Sequence, residues 1–284
     1  MKKKHTLRLS FTAKPIRQPV TKFGGQPVWV EAPQWPVSAY FGELMLFVGQ
    51  VALDPALFGG EPGRMAYFFI TDPDAFDGLT IHDTDSHWGD PFDGENAVII
   101  QPGGQLLDPE LEVRPTPTGP GLVRYTRGKR QRGGIPVRVE FSARAVPGED
   151  PDYLDPATLT DVQLQETKAG GTPALMSDLG YPDLEGWTSI LQVDLGHPPF
   201  DLGLEPFWVM HGLLSPDGTT GAFVSQDPYA DEDYPTLPDE YYPMLPDDDD
   251  EAPAEAASTD DGETWAVAAD EDQDAGERPP VTQP

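Results

Sequence analysis

The 284-residue chain contains no cysteine. Without thiols it cannot form disulfides, zinc–thiolate sites or a cysteine nucleophile. Long apolar runs are lacking as well, so the sequence predicts no transmembrane helix. The residues that follow the basic start, residues 1–4, are too polar for a signal peptide. From these absences we expect a soluble, cytoplasmic protein that does not bind membranes.

Basic residues are scarce. The chain has 18 Lys and Arg against 49 Asp and Glu, which gives a formal net charge of −31. Residues 227–284 hold 20 of the acids and a single base, Arg278, and therefore carry −19 of that charge. Such a chain is repelled by nucleic-acid phosphates, so we expect no direct nucleic-acid binding. The same charge attracts a basic protein partner.

Several catalytic signatures are missing too. The sequence has no G-x-S-x-G, no P-loop and no G-x-G-x-x-G after a strand. We expect His5, His197 and His211 to be hydrogen-bonded structural residues rather than bases. The leading hypothesis is a non-enzymatic binding protein. Because paired carboxylates are plentiful, a metal-dependent or carboxylate-based enzyme stays open, as does a small-ligand-binding housekeeping protein of unknown activity.

A repeated motif is the clearest feature that is present. TKFGGQP begins at Thr21 and TKAGGTP at Thr167, with five of seven positions identical. The glycine pairs permit positive φ, so each motif predicts a turn, the first leading into a strand at residues 28–30. Two further pairs of strands follow in the same order: residues 44–53 with 188–195, and residues 65–71 with 220–227. Matching order predicts an internal duplication.

The fold class follows from short apolar segments separated by Gly and Pro. We predict a mainly β (β-rich α+β) fold in which two related β halves, residues 1–154 and 155–229, pack as one globule. Residues 5–13 and 96–101 are predicted strands, residues 122–146 a hairpin, and residues 155–166 a short helix. Residues 230–284 are predicted to be an acidic, Pro-rich disordered tail.

These motifs resemble those of the YwqG-like family, also called DUF1963. The resemblance rests on KFGGQP, Trp35-Pro36, LMLFVGQVAL, AYFFIT, KAGGTP and ILQVDL, and covers residues 15–227. It implies a duplicated β-rich fold and a bacterial source, and little about activity. Some members are encoded near secreted-toxin genes, which implies a toxin-neutralising (immunity) role. Combined with the acidic charge of this chain, it gives the hypothesis of an inhibitor that neutralises a basic protein partner such as a toxin. The second half departs from the family because its Trp-Gly-Asp is missing; Trp88-Gly89-Asp90 lies in the first half.

Candidate binding residues come from the repeat. The equivalent Lys22 and Lys168 could lay their stems along a strand and cap a turn carbonyl, or could face a cleft between the halves. Gln50 and Gln192 lie within apolar strands, where we expect them to satisfy backbone groups of a neighbouring loop. Trp88 completes the candidate binding set.

Two charged clusters are further candidates. The first is His82, Asp83, Asp85 and His87, which could hold a divalent cation or form a solvated loop; no other cofactor is expected. The second is basic and could contact phosphate, or pair with acids that include those of the tail. Its members are Arg124, Arg127, Lys129, Arg130, Arg132 and Arg138. No pattern predicts an oligomeric state.

Overall fold

A closed antiparallel barrel of ten strands forms the centre of the molecule, so the prediction of a mainly β fold is confirmed. The computed structural model describes residues 1–72, 90–125, 136–175, 184–195, 200 and 209–226. All of these lie in the first of two units, Met1–Tyr234, whereas the second unit, Pro235–Pro284, and with it the predicted disordered tail, lies outside the described residues.

Two four-stranded meanders make up most of the barrel wall. The first contains β2 (Lys22–Gly24), β4 (Leu46–Ala52), β5 (Met65–Ile70) and β6 (Asn96–Gln101), and the second contains β11 (Lys168–Gly170), β12 (Thr188–Asp194), β13 (Val209–Leu214) and β14 (Gly221–Gln226). Two long strands, β1 (Lys2–Phe11) and β10 (Glu140–Asp150), join the meanders on one side. On the other side β6 meets β14, where Gly221 lies opposite Val98.

The two meanders repeat the same local geometry. Lys22 lies opposite Gln50 in the first, and Lys168 lies opposite Gln192 in the second. The register of β4 against β5 shifts just before Gln50, and that of β12 against β13 shifts just before Gln192. Each shift is a bulge that bends its strand. The duplication that this geometry suggests stays a prediction.

One predicted strand pair does not match the strand order. Residues 65–71 were paired with residues 220–227, but β5 follows β4 as β13 follows β12, so the counterpart of β5 is β13. The sequence of β13, VMHGLL, lacks the aromatic run of β5. The aromatic sequence of β5 therefore matched the sequence of β14 better than that of β13.

Apolar side chains fill the barrel and also cover part of its outside. The interior cluster includes Phe23, Phe68 and Phe223. Phe68 fills the space beside Gly212 across the barrel, where a Cβ would collide with its ring. Outside, β3 (Trp35–Pro36) pairs with β7 (Val113–Arg114), and Trp35 packs against Phe47 and Phe69. The β3–β7 layer thus seals the outer face of β5.

Residues 28–30 do not form the predicted strand. Their backbone N–H groups bond to side chains instead of a neighbouring strand: Val28 donates to Gln50 Oε1 at 2.8 Å, and Val30 donates to the Tyr67 hydroxyl at 3.0 Å. The segment is therefore a loop that is fastened to the outside of the barrel. This arrangement depends on contacts that are distant in sequence, which local pattern cannot reveal.

The predicted hairpin and helix are present in modified form. β8 (Val123–Tyr125) pairs with β9 (Pro136–Arg138), but the chain then continues into β10, which leaves the hairpin to pair with β1. The predicted helical region holds a 3-10 turn, Pro156–Thr158, and a short helix α2, Asp161–Leu164; α1, Pro55–Phe58, precedes β5. No helix within the described residues is both long and apolar enough to span a membrane.

Candidate functional site

Lys22 is buried in an ion pair with Glu140, the first residue of β10. Only 1% of Lys22 is exposed. Its ammonium donates to Glu140 Oε1 and to the Ile16 carbonyl, and the same carboxylate oxygen accepts from the Ile16 N–H at 3.2 Å. The pair therefore fastens the segment before β2 to the start of β10.

Lys168 forms the matching pair with Asp150, at the other end of β10. Its Nζ lies 2.8 Å from Asp150 Oδ2 and donates to the Thr172 carbonyl at 2.7 Å. Lys4 joins this site, with its Nζ 2.7 Å from both Asp150 Oδ1 and a Glu166 oxygen. The second site thus holds two cations and two carboxylates, whereas the first holds one of each.

The charges of the second site stabilise one another. Burial alone would raise the pKa of Asp150, but hydrogen bonds from Lys168 and Lys4 outweigh it, and the pKa is lowered. Burial alone would lower the pKa of Lys4, but hydrogen bonds to Asp150 and Glu166 outweigh it, and the pKa is raised. Both groups are therefore held in their charged forms around neutral pH.

The repeated glycines make room for these carboxylates. Gly24, Gly25, Gly170 and Gly171 all have positive φ. A Cβ on Gly25 would lie 2.5 Å from the Glu140 carboxyl carbon, and one on Gly171 would collide with Asp150 Oδ2. In each motif the second glycine therefore leaves space for a carboxylate of the chain itself, and the lysine three residues before that glycine forms an ion pair with the same carboxylate.

Gln50 and Gln192 bind backbone groups of neighbouring loops, as predicted. Gln50 accepts from the Val28 N–H and donates to the Val20 carbonyl at 2.9 Å. Gln192 accepts from the Ala174 N–H at 2.9 Å and donates to carbonyls of residues 163, 164 and 166. Each glutamine therefore fastens a covering loop to the outer face of the barrel, and each is fully buried.

The two meanders differ next to these glutamines. Tyr67 lies opposite Gln50, and its hydroxyl donates to the Val28 carbonyl at 2.8 Å. Burial raises the pKa of Tyr67 to about 12. His211 lies opposite Gln192 in the middle of β13, and among the described residues neither ring nitrogen has a hydrogen-bond partner. Burial and the nearby Lys168 charge lower the pKa of His211 to about 3.

The expectation of a hydrogen-bonded His211 is therefore wrong. The sequence suggested a strand end, where polar loop groups are available. The structure instead places the ring at a fully buried, mid-strand position. A neutral imidazole there leaves one donor and one acceptor without partners, which costs free energy on folding.

Several other predicted residues lie outside the described part of the chain. These are Trp88, His197, the metal candidates His82, Asp83, Asp85 and His87, and Arg127, Lys129, Arg130 and Arg132 of the basic cluster. Within the described residues, no group of three or more Asp, Glu and His side chains is placed to hold a metal ion. Glu95, which follows the metal candidates in sequence, is only 1% exposed. Its carboxylate accepts hydrogen bonds from the Ser38 hydroxyl at 2.7 Å and from the Tyr40 N–H at 2.8 Å.

An exposed acidic surface lies on the β3–β7 layer. The turn at residues 38–43 is joined to the segment before β6, because Ala39 N–H donates to the Gly94 carbonyl, and to the segment before β7 through Val37. This brings together two exposed aromatic side chains and four exposed carboxylates. We call the set the acidic face: Tyr40, Glu43, Phe92, Asp93, Glu110 and Glu112.

Two exposed aromatic rings lie among these carboxylates. Tyr40 is 66% exposed and Phe92 is 43% exposed. In the sequence, residues 38–43 and 90–114 contain a single base, Arg114. Its Nε lies 2.9 Å from Glu112 Oε1. Sequence reasoning did not single out this face. An aromatic residue beside Gly and Asp or Glu, as in YFGE and PFDG, is the signal that could have marked it.

An open groove lies where the two meanders meet. Its volume is about 570 Å³, and it is lined by the segment after β6, by Trp187 and by the β13–β14 turn. Leu106, Leu107 and Pro216 supply apolar walls, and Asp217 supplies a carboxylate. The groove is lined by residues of both halves, and neither Lys22 nor Lys168 is among them.

Comparison with known proteins adds no identity: no family model and no curated protein sequence matches this chain.

Proposed function

We propose that this chain is a non-enzymatic protein-binding barrel of the immunity type, which neutralises a basic protein partner by docking it on the acidic face. The supporting observation is the combination of exposed Tyr40 and Phe92 with a surrounding set of carboxylates. Protein interfaces are enriched in aromatic residues, which supply most of the binding energy at a few central positions.

The charge of the whole chain supports the same proposal. Inside the barrel wall Lys4, Lys22 and Lys168 pair with three carboxylates, so the charges of these ion pairs sum to zero. The net charge of −31 therefore belongs to the remaining residues. A field of this sign steers a cationic partner toward the molecule and speeds association.

The roles of the repeated residues also fit a binding scaffold. The lysines and glutamines of the repeat bind carboxylates and backbone groups of the chain itself. They hold strands and covering loops in place, and the loop that Gln50 binds leads into β3, which the turn of the acidic face follows. In the proposed function the repeated lysines and glutamines hold the barrel in one conformation, and the exposed turn at residues 38–43 contacts the partner.

A single pair of substitutions tests the proposal. The Tyr40→Ala/Glu43→Gln variant removes one aromatic anchor and one carboxylate from the acidic face. We expect it to bind a basic partner, captured from the source cell and then purified, at least roughly tenfold more weakly than the wild type. Titration calorimetry of the full chain gives the comparison.

Glu61→Gln is the matched control, because Glu61 is an exposed carboxylate in the α1–β5 connection, outside the face. It changes the net charge by the same amount and should leave the affinity within about twofold, as expected for a remote surface charge. Equal affinities for the Tyr40→Ala/Glu43→Gln variant and the wild type would refute the proposed site.

The groove beside Trp187 favours a second candidate function, the binding of a small ligand. Its volume of about 570 Å³ lies within the range of small-molecule sites, roughly 300–1,000 Å³, and it combines apolar walls with a few polar groups. Thermal-shift screening of the full chain against a metabolite set tests it. A ligand whose stabilisation is lost in Trp187→Ala, but kept in Tyr40→Ala, would support this alternative.

A further inference from the structure

A basic surface lies on a different side of the barrel from the acidic face. In the ring of ten strands, β5, which the β3–β7 layer covers, is four strands from β1 and three from β10. At the end of the β1–β10 pair near Glu140, five basic side chains are exposed. We call this set the basic face: Arg8, Lys14, Arg17, Arg138 and Arg144.

The basic face lacks compensating acids in the segments that form it. Residues 7–18 and 136–145 include one acid, Glu140, which is buried and already paired with Lys22. Within the described part of the chain, none of the five exposed cations forms an ion pair; the pairs that do form involve other bases. These exposed positive charges are thus not neutralised by described acids, although the protein as a whole is strongly acidic.

Two of these arginines oppose each other across the sheet. Arg8 is the register partner of Arg144, and both are exposed. Their neighbours Leu7 and Ala143 pack toward the barrel interior, so the arginines share the outer face. Like charges directly opposite each other destabilise a strand pair, and a bound anion removes that repulsion. This pair is the observation that points to a ligand.

Apolar side chains lie beside the cations. Phe11 is 62% exposed and meets Phe141 edge-on, with ring centroids 6.2 Å apart. Val137 is 44% exposed next to Arg138. β9 ends at Arg138 and β10 begins at Glu140, so the seven residues 138–144 span at most roughly 20 Å. The face therefore presents positive charge and apolar contacts along a line of that length.

We infer that the basic face is a second docking surface, and that its occupant is an extended acidic polypeptide segment carrying apolar side chains. An acidic peptide carries few negative charges, and at physiological salt these interact mainly with protein charges within the screening length of roughly 8 Å. A peptide on the basic face is therefore attracted by the nearby arginines more than it is repelled by distant acids. A nucleic acid carries dense charge along its whole length, which the net charge of −31 repels. Exposed Phe11 and Val137 fit apolar peptide side chains.

The inference is separate from the proposed function, because it concerns a different side of the barrel and a partner of opposite charge. The two surfaces together would let one molecule join a basic protein to an acidic one. Failure of either site leaves the other intact, and the variants below distinguish them.

The test uses the full chain and a synthetic peptide of about 12 residues, enough to cover the face in extended form. The peptide has Glu at alternate positions and Phe and Leu between them; one control peptide replaces every Glu with Gln. A thymidine oligonucleotide of equal charge is the competing ligand. Fluorescence anisotropy at two salt concentrations gives the affinities.

We expect the wild type to prefer the acidic peptide over both controls, with an affinity that falls as salt rises. The Arg8→Gln/Arg144→Gln variant should bind it roughly tenfold more weakly, because two surface charge contacts are lost. The same variant should unfold in urea at an equal or higher midpoint, since the cross-strand repulsion is gone. Arg144→Lys, which keeps the charge, should bind within about twofold of the wild type.

Arg114→Gln removes an exposed arginine outside the basic face, and Tyr40→Ala/Glu43→Gln alters only the acidic face. Both should bind the acidic peptide as the wild type does. The inference is overturned if Arg8→Gln/Arg144→Gln binds as tightly as the wild type, if the Gln peptide binds equally well, or if the oligonucleotide is preferred.

Discussion

Lys22 and Lys168 are equivalent in sequence but differ in what surrounds them. Lys22 is the cation bound to Glu140, whereas Asp150 is bound by both Lys168 and Lys4. Removing one partner of a buried ion pair leaves an uncompensated charge, which is strongly destabilising. The consequence of losing each lysine should therefore depend on whether a second cation remains.

The first prediction follows from this difference. Lys22→Met should lower the free energy of unfolding by about 3–5 kcal/mol, because Glu140 is left buried and unpaired. Lys168→Met should cost less, since Lys4 still contacts Asp150 and Glu166, and Glu166, the more exposed of these two carboxylates, is partly hydrated. Urea unfolding of the two variants at neutral pH gives the comparison. A larger loss for Lys168→Met would contradict the assignment of Lys4 to this site.

A double variant serves as the control. Lys22→Met/Glu140→Gln removes both charges while the amide oxygen can still accept from the Ile16 N–H. It should recover part of the stability lost in Lys22→Met, because no buried charge remains. If the double variant is less stable than Lys22→Met, the carboxylate is not the source of the loss.

His211 predicts a specific pH dependence. Its pKa is about 3 in the folded state and about 6.5 when unfolded, so the unfolded chain binds more protons between these values. The free energy of unfolding should therefore fall as pH decreases from 6.5, with a contribution from this residue of up to about 1.4 kcal/mol per pH unit.

His211→Phe should reduce that slope between pH 5 and 6.5, roughly the window above the carboxylate titrations. Urea unfolding at several pH values measures it. A slope that persists in His211→Phe would show that His211 is not the titrating group.

At the level of elements, the Gly-Gly ends of β2 and β11 connect backbone shape to the ion pairs. In Gly25→Ala the alanine would have to adopt a positive φ of 67°, and its Cβ would also collide with the Glu140 carboxylate. Gly42→Ala is a matched control, because Gly42 has φ of 69° and nothing within 4 Å of the added Cβ.

Both alanine variants should be destabilised by the left-handed backbone, at a cost of roughly 1 kcal/mol or more. Gly25→Ala should lose clearly more, because the Glu140 carboxylate must shift from Lys22. Thermal unfolding of the two variants separates the steric effect from the backbone effect. Equal losses would mean that the close approach of Gly25 to Glu140 does not matter for stability.

The strands could be predicted from sequence where the apolar run was local and continuous. β4, β5 and β6 are examples, and Gln50 and Gln192 were predicted correctly because a buried amide within such a run needs backbone partners. Glu140 and Asp150 could not be identified as partners of the repeat lysines, because no local pattern relates positions 118 and 18 residues apart. β13 was missed since Gly212 and His211 interrupt its apolar sequence.

On the scale of the whole molecule, the described residues include one acidic face and one basic face on different sides of the barrel. Exposed carboxylates and aromatic residues lie over β5, and exposed arginines lie on β1 and β10. The ion pairs inside the wall cancel, so they hold the barrel together without altering the field outside. A rigid barrel thus carries two surfaces of opposite sign, and the proposed function uses the acidic one.

The most direct test of the proposed function is the salt dependence of affinity for the partner captured from the source cell by the full chain. The account predicts a basic partner protein whose dissociation constant rises steeply with ionic strength, because exposed charges are screened by salt. It also predicts that the dissociation constant rises in Tyr40→Ala/Glu43→Gln but not in Glu61→Gln. A neutral or acidic partner whose affinity is unchanged by salt would contradict it.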